Sequence, residues 1–409
     1  MIAFAGADLV LPDRVVRDHV LVVDGGRIAD ITSSPPSAAR TVHIDAGTIV
    51  PGFVDAHVHG ACGIDTLDAG SPIADLAAVL PQFGTTAFAP TTVACAPDDL
   101  QRVLLQVRAC RTSAPGPAAR VLPAHLESNF INPHYRGAQP LECLRTFTGR
   151  GSEASTVSST PTRCGTFAAA DVMRVIKAHA DAIGVVTLAP EMEGGLRLMS
   201  ELRHLGIAVS LGHSGASFAE AHAAIAAGAT RATHLFNGMS ALHHRAPGLP
   251  GAVLDSTAVV AELICDGAHV HPALIRMVLA TRRRTRVMAV SDGTAAAGLP
   301  AGATARLGVE TITAGPDCAR LSDGTMAGSV ATMDRVLRLL IRDAAIPIVD
   351  AVHMCATTPA HTVGLEDAGR LEPGMLADLA VLDAESAVVQ TWVNGQLAWS
   401  RNRPERPSV

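Results

Sequence analysis

Large aromatic side chains are scarce in this chain: 409 residues include one Tyr, two Trp and nine Phe. Packing therefore falls to Ala, Val, Leu and Gly, which suits an α/β enzyme built from closely layered elements. Basic residues are not in excess either. Thirty-two Lys and Arg against 38 Asp and Glu leave a formal net charge of −6 with no run of like charges, which excludes a nucleic-acid-binding face. Eight cysteines, at positions 62, 95, 110, 143, 164, 265, 318 and 355, contain no Cys-x-x-Cys pair. They read as scattered reduced thiols, not as a disulfide framework or a zinc ribbon. No apolar run reaches membrane-spanning length. The N-terminus carries Asp8 and Asp13 where a signal peptide has a basic region, so a cytoplasmic protein without a membrane partner is expected. Several catalytic signatures are missing as well. The first strong strand is not followed by Gly-x-Gly-x-x-Gly, and there is no P-loop pattern and no Gly-x-Ser-x-Gly elbow. Their absence disfavours a dinucleotide site, phosphoryl transfer and a serine nucleophile.

What is present is a regular alternation. Strand-like runs at 50–58, 85–93, 120–126, 184–189, 206–212, 231–235, 258–265 and 286–291 are separated by helical patterns such as Asp98–Cys110, Ala168–Ala182 and Phe218–Ala227. A further helical face runs through Gly328–Ala344. Eight such units predict a closed (β/α)8 TIM-type barrel; a doubly wound open sheet is the alternative. Both chain ends read differently. Asp24-Gly25-Gly26 separates Val20–Val23 from Arg27–Ile31, and Asn394-Gly395 separates Val388–Val393 from Gln396–Trp399, both hairpin signals. Neither end could bury a core alone. Residues 1–50 and 370–409 are expected to meet as a small β-sandwich domain beside a catalytic barrel at 51–369.

The polar residues at the strand ends carry the chemistry. His57 and His59 lie two apart on the first strand, so both imidazoles share a face. His125 and Glu127 end the third strand, Glu191 follows the fourth and His213 ends the fifth. His234 sits in the sixth, Asp266 and His269 follow the seventh, and Asp292 follows the eighth. An isolated pair of histidines is most simply an ordinary strand feature; so many groups at matching ends are not, because barrel active sites gather on that face. Imidazoles with carboxylates suit zinc or a similar divalent ion, which generates hydroxide at neutral pH and polarises a carbonyl. Asp292 is the candidate proton shuttle; its bland alternative is a turn Asp in Ser291-Asp292-Gly293.

These residues sit within longer runs: PGFVDAHVHG (51–60), HLESNFINP (125–133), TLAPE (187–191), SLGHSGAS (210–217), THLFNGMSALHHRAPG (233–248), CDGAHV (265–270), SDGTAAAG (291–298) and MAGS (326–329). Together they resemble the N-acetylglucosamine-6-phosphate deacetylases of the amidohydrolase superfamily, over nearly the whole chain. The resemblance implies metal-dependent removal of acetyl from an amino sugar phosphate, with one or two ions, zinc foremost. It implies that Glu127, His213 and His234 ligate one ion, and that His57 and His59, with Glu127 bridging, ligate a second. Asp292 takes the acid/base role; Asn237, Gly238 and His269 face the sugar phosphate. Arg245 matches an arginine that reaches across a homodimer to the phosphate, where a guanidinium binds well. Three features depart from the family pattern. Ser128-Asn129 replaces Gly-Pro, and Gln139 replaces a histidine that helps polarise the acyl carbonyl, so Gln139 is assigned to the substrate. A Gly/Ser/Thr-rich insertion runs from Thr148 to Thr166. Because these changes cluster at the sugar and acetyl pocket, two alternatives stay open. One is a related hydrolase for another N-acyl hexosamine or a specialised-metabolite amine; the other is a catalytically weak paralogue that binds a sugar phosphate.

Overall fold

The computed structural model describes residues 1–45, 47–113, 116–148, 164–282 and 284–401, so most of the 148–166 insertion lies outside the described residues. Eight parallel strands form the central sheet: β1 (Phe53–Val58), β2 (Thr85–Thr92), β3 (Ala124–Glu127), β4 (Ile183–Leu188), β5 (Ala208–Leu211), β6 (Arg231–Ala232), β7 (Val260–Ile264) and β8 (Val287–Val290). Each pairs in parallel with the next, with a short extra strand at Arg120–Val121 beside β2. Every residue of β1 and β2 is buried, which is why neither strand shows a polar solvent face alternating with an apolar one. Closure comes just past β8. Val58 bridges Gly293 in parallel, His59 N–H donates to the Gly293 carbonyl at 2.8 Å, and Asp292 N–H donates to the His57 carbonyl at 3.0 Å. Sealing the barrel and bringing Asp292 beside His57 are thus one event.

Helices cover the outside where the periodicity places them, at Pro97–Thr112, Ala169–Ala178 and Phe218–Ala226. The last is held at its start by a capping box, Ser217 with Glu220. The expected helix at 328–344 is shorter. Met326–Ser329 is instead the last strand of a four-stranded antiparallel sheet, with Thr304–Leu307, Glu310–Ala314 and Cys318–Arg320, and the helix begins at Met333. This sheet was not legible as strands because its members are short, partly exposed and broken by Gly and Asp turns. It stands over the C-terminal mouth of the barrel and lends Leu307, Met326 and Gly328 to the wall of the cavity there.

Two further sheets come from the chain ends. One joins Ile2–Ala5, Val20–Asp24, Arg27–Thr32 and Arg40–His43; the other joins Asp8–Val10, Val15–Val16 and Thr48–Pro51 to Leu379–Leu382, Val388–Val393 and Gln396–Ser400. Both hairpin turns have the conformation their residues favour: Gly25, Gly26, Asn394 and Gly395 all have positive φ, as a two-residue turn between right-twisted strands requires. A shared core of Phe4, Leu9, Leu21, Ile49, Val381 and Trp392 fills the space between the sheets, with the Phe4 and Trp392 rings edge-to-face at 4.9 Å. No helix among the described residues is long and apolar enough to cross a membrane.

Candidate active site

Glu127 is the hub. Its Oε1 lies 2.9 Å from His213 Nε2 and 2.8 Å from His234 Nε2, while its Oε2 lies 3.3 Å from His59 Nε2. His57 Nε2 is 3.8 Å from Oε1. A second group adjoins the first: His57 Nε2 and His59 Nε2 are 3.2 Å apart, and Asp292 Oδ1 is 3.2 and 3.4 Å from them. All six side chains are buried. They form two donor clusters, Glu127–His213–His234 and His57–His59–Asp292, joined through Glu127.

The other ring nitrogens say what these clusters are for. His213 Nδ1 faces the Tyr135 carbonyl at 2.7 Å and His234 Nδ1 faces the Asn237 carbonyl at 3.1 Å. A carbonyl only accepts, so both Nδ1 atoms carry a proton, and in the neutral ring that binds a metal both Nε2 atoms present a lone pair. Those two Nε2 atoms are 3.1 Å apart. Two lone pairs and a carboxylate aimed at one point need a cation, and backbone carbonyls that fix ligand tautomers are the usual outer shell of a metal site. His57 obeys the same rule through a carboxylate, its Nδ1 lying 3.1 Å from Glu262 Oε2. The residues therefore fit a divalent ion.

Strand ends aim these groups by leaving the ordinary backbone range. His213, His234 and Asp292 have φ of 47°, 30° and 46°. Left-handed conformations in side chains of this kind cost about 1–3 kcal/mol each and persist where the surrounding structure over-determines them. Gly238 (φ 57°) completes the cradle: a Cβ there would sit 2.9 Å from His213 Nδ1 and 3.1 Å from the Tyr135 carbonyl.

Electrostatics agree with a cation-seeking site. Burial would raise the Glu127 carboxyl, but the charge of His213 and hydrogen bonds from His213, His234 and His59 hold it well below the usual carboxylate range. Burial would also raise Asp292, and the charge of His57 with hydrogen bonds to His57 and His59 drives it strongly down. Burial opposes a proton on His59, yet its hydrogen bonds to Asp292 and Glu127 push it up to about 9. The carboxylates demand positive charge, and without a metal the histidines supply it as protons.

A cavity of about 250 Å³ opens above this hub. A match to the amidohydrolase family spans residues 48–398. The chain is 33% identical to the N-acetylgalactosamine-6-phosphate deacetylase of Escherichia coli O157:H7, covering 95% of this chain and 97% of that one. It is 29% identical to the N-acetylglucosamine-6-phosphate deacetylase of Bacillus subtilis over 96% of this chain and 95% of that one. Among solved structures it is similar to the N-acetylglucosamine-6-phosphate deacetylase of Pasteurella multocida, with TM-score 0.85, 27% identity and coverage of 97% and 99%. The Mycobacterium smegmatis deacetylase, solved with N-acetyl-D-glucosamine-6-phosphate, gives TM-score 0.84 at 29% identity, covering 98% of this chain and 99% of that one. The chain belongs to the amidohydrolase family.

In this amidohydrolase, most residues named from sequence converge. His59, Glu127, Gln139, His213, His234, Asn237, Gly238, His269 and Asp292 line the cavity, and His57 lies fully buried beside them. Arg245 does not line it; the side chain is on an exposed loop next to the His243 and His244 rings, which sit 4.3 Å apart. Three strand-end groups have supporting positions instead. His125 hydrogen-bonds Thr187 Oγ1 at 2.7 Å and packs edge-on against His57, and burial holds it well below the imidazole range as a neutral ring. Glu191 accepts from Asn132, Ser214 and Gly215, bracing the loop behind His213. Asp266 accepts from or pairs with His269 Nδ1 at 2.6 Å and so sets the ring that faces the cavity.

Two residues that sequence reasoning passed over belong to this constellation. Glu262 is one, fully buried in β7 behind His57. Asp55 is the other: burial pushes its carboxyl up to about 6, and it accepts from Ser291 N–H at 3.2 Å, tying the start of the Asp292 turn to β1. A charged residue inside a mostly apolar strand was the available signal for both.

Proposed function

We propose that this protein hydrolyses the N-acetyl group of N-acetylglucosamine 6-phosphate, giving glucosamine 6-phosphate and acetate. The observation that carries this reading is the convergence of the His213 and His234 Nε2 lone pairs on Glu127 beneath a cavity lined by Asp292. Support for the substrate comes from the deacetylase relatives and their near-complete coverage of the chain. A divalent ion, with zinc the expected species, would supply Lewis-acid chemistry when bound: acidification of a water towards a pKa of about 7 and polarisation of the acyl carbonyl. Glu127, His213 and His234 would hold one ion; His57, His59 and the other Glu127 oxygen would hold a second. Asp292, ionised and buried, accepts the proton of the attacking water on its carboxylate and returns it to the sugar nitrogen as the acyl–nitrogen bond breaks. Asn237, Gly238 and His269, which line the same cavity, would bind the sugar phosphate.

The exposed Arg245 fits a role in trans, reaching the phosphate of a neighbouring subunit's substrate in a homodimer. The same reading assigns residues 1–50 and 370–409 to a β-sandwich domain and 51–369 to the catalytic barrel. A second substrate has a specific observation in its favour, since a relative at 33% identity acts on the galactosamine epimer. Acetate release from N-acetylglucosamine 6-phosphate, N-acetylgalactosamine 6-phosphate and unphosphorylated N-acetylglucosamine, with metal content assayed alongside, tests all of this. Preference for the gluco epimer with phosphate supports the reading. Metal-independent release, or none from either phosphate, overturns it.

A further inference from the structure

Gln139 is tied down at both ends of its amide. Ala94 N–H, in the loop after β2, donates to Gln139 Oε1 at 2.7 Å, and a backbone N–H can only donate. That contact fixes the amide orientation, so the Nε2 hydrogens face the Glu127 carboxylate, and Nε2 donates to Glu127 Oε2. The side chain is 4% exposed and its loop is braced, with Gln139 N–H bonded to the Arg136 carbonyl and Arg136 bonded to the Gln139 carbonyl. A carboxylate free to roll about its Cγ–Cδ bond would present either edge to His213 and His234. The Gln139 donor stops that roll. It holds Oε1 towards His213 and His234 and Oε2 towards His59.

The need for such a clamp differs between the two donor clusters. His213 and His234 are each fixed by a backbone carbonyl, whereas His59 Nδ1 is buried with no hydrogen-bond partner. The second cluster thus depends more on the orientation of Glu127 than the first does. We infer that Gln139 is a positioning residue for the second metal site, setting the Glu127 oxygen that the ion at His57 and His59 would share, and that this is its main role instead of polarising the acyl carbonyl. The inference rests on the two-site reading given above.

The test is titration of metal-free full-length protein with Zn2+, by calorimetry and by metal analysis after gel filtration, for wild type, Gln139→Met and Gln139→Glu. Met keeps the length of the side chain without the donor; Glu keeps the acceptor for Ala94 N–H and sets a carboxylate against Glu127. Circular dichroism shows whether each variant is folded. Both variants should bind the first ion as wild type does and the second about 10–100-fold more weakly, the usual effect of losing an outer-shell partner. Activity should return on adding excess Zn2+. Wild-type affinity for both ions in either folded variant overturns the proposal alone. So does a changed kcat with unchanged metal content and no recovery on adding Zn2+, which is the signature of a carbonyl-polarising role. A wild-type protein that binds a single ion overturns the proposal together with the two-site reading.

Discussion

Glu262→Gln isolates one link in the site. Glu262 is fully buried in β7, and His57 Nδ1 donates to it at 3.1 Å, so its charge both selects the His57 tautomer and makes Nε2 a better donor to an ion. Glutamine still offers an oxygen to Nδ1, which preserves the tautomer but removes the charge. Loss of an outer-shell carboxylate lowers metal affinity by about 10–100-fold, or about 1.4–2.7 kcal/mol. The effect should fall on the ion at His57 and His59, because His213 and His234 take their orientation from the Tyr135 and Asn237 carbonyls and not from Glu262. A stability cost accompanies it. Burial works against the charge of Arg231 and lowers its pKa, and the field of Glu262 partly offsets this. The cost should stay below the about 3–5 kcal/mol of breaking a direct buried ion pair, because Arg231 donates instead to the Thr362 carbonyl at 2.6 Å. Zn2+ titration of the metal-free variant, with a denaturant melt of the same sample, measures both quantities. Unchanged affinity for both ions, or an equal loss for both, refutes the argument that Glu262 acts through His57.

Asp292→Asn removes the proton carrier with little change of shape; kcat should fall about 10²–10⁴-fold while the ion at Glu127, His213 and His234 is retained, as steady-state kinetics with metal analysis would record. Gly238→Ala puts a Cβ 2.9 Å from His213 Nδ1 at a φ of 57°; a cost of about 1–3 kcal/mol and loss of the first ion should follow, read by thermal melting and metal content. pH supplies the last case. In the metal-free protein His59 is raised to about 9, above the ordinary imidazole value of about 6.5, by hydrogen bonds to Asp292 and Glu127 that outweigh burial. A folded pKa above the unfolded one means the stabilisation is complete below pH 6.5 and disappears as pH rises through 9. The Tm of metal-free protein should therefore drop across that window while its Zn2+ affinity rises, because the ion no longer competes with a proton. A Tm flat from pH 6.5 to 9 would remove the basis for this expectation.

Sequence alone determined what local periodicity encodes. The two-residue spacing of His57 and His59 places them on one face of β1. Asn394-Gly395 specifies a tight hairpin, and repeated strand and helix patterns specify a barrel with its polar residues at one mouth. The residues that cluster at the mouth were legible because histidine and carboxylate at the ends of apolar strands have few other uses. Partners across space were not legible. Glu262 reads as one acid in an apolar strand until closure through Val58 and Gly293 brings β7 and β8 around to β1. His125 and His213 were both named as strand-end groups, and packing shows that the first bonds Thr187 while the second meets Glu127. Gln139 was read as facing substrate; it does line the cavity, and only the packing of two loops shows that its amide also donates to Glu127. A strand's alternation says which face a side chain takes; what it finds there depends on how eight strands close, and that is decided by contacts far apart in the chain.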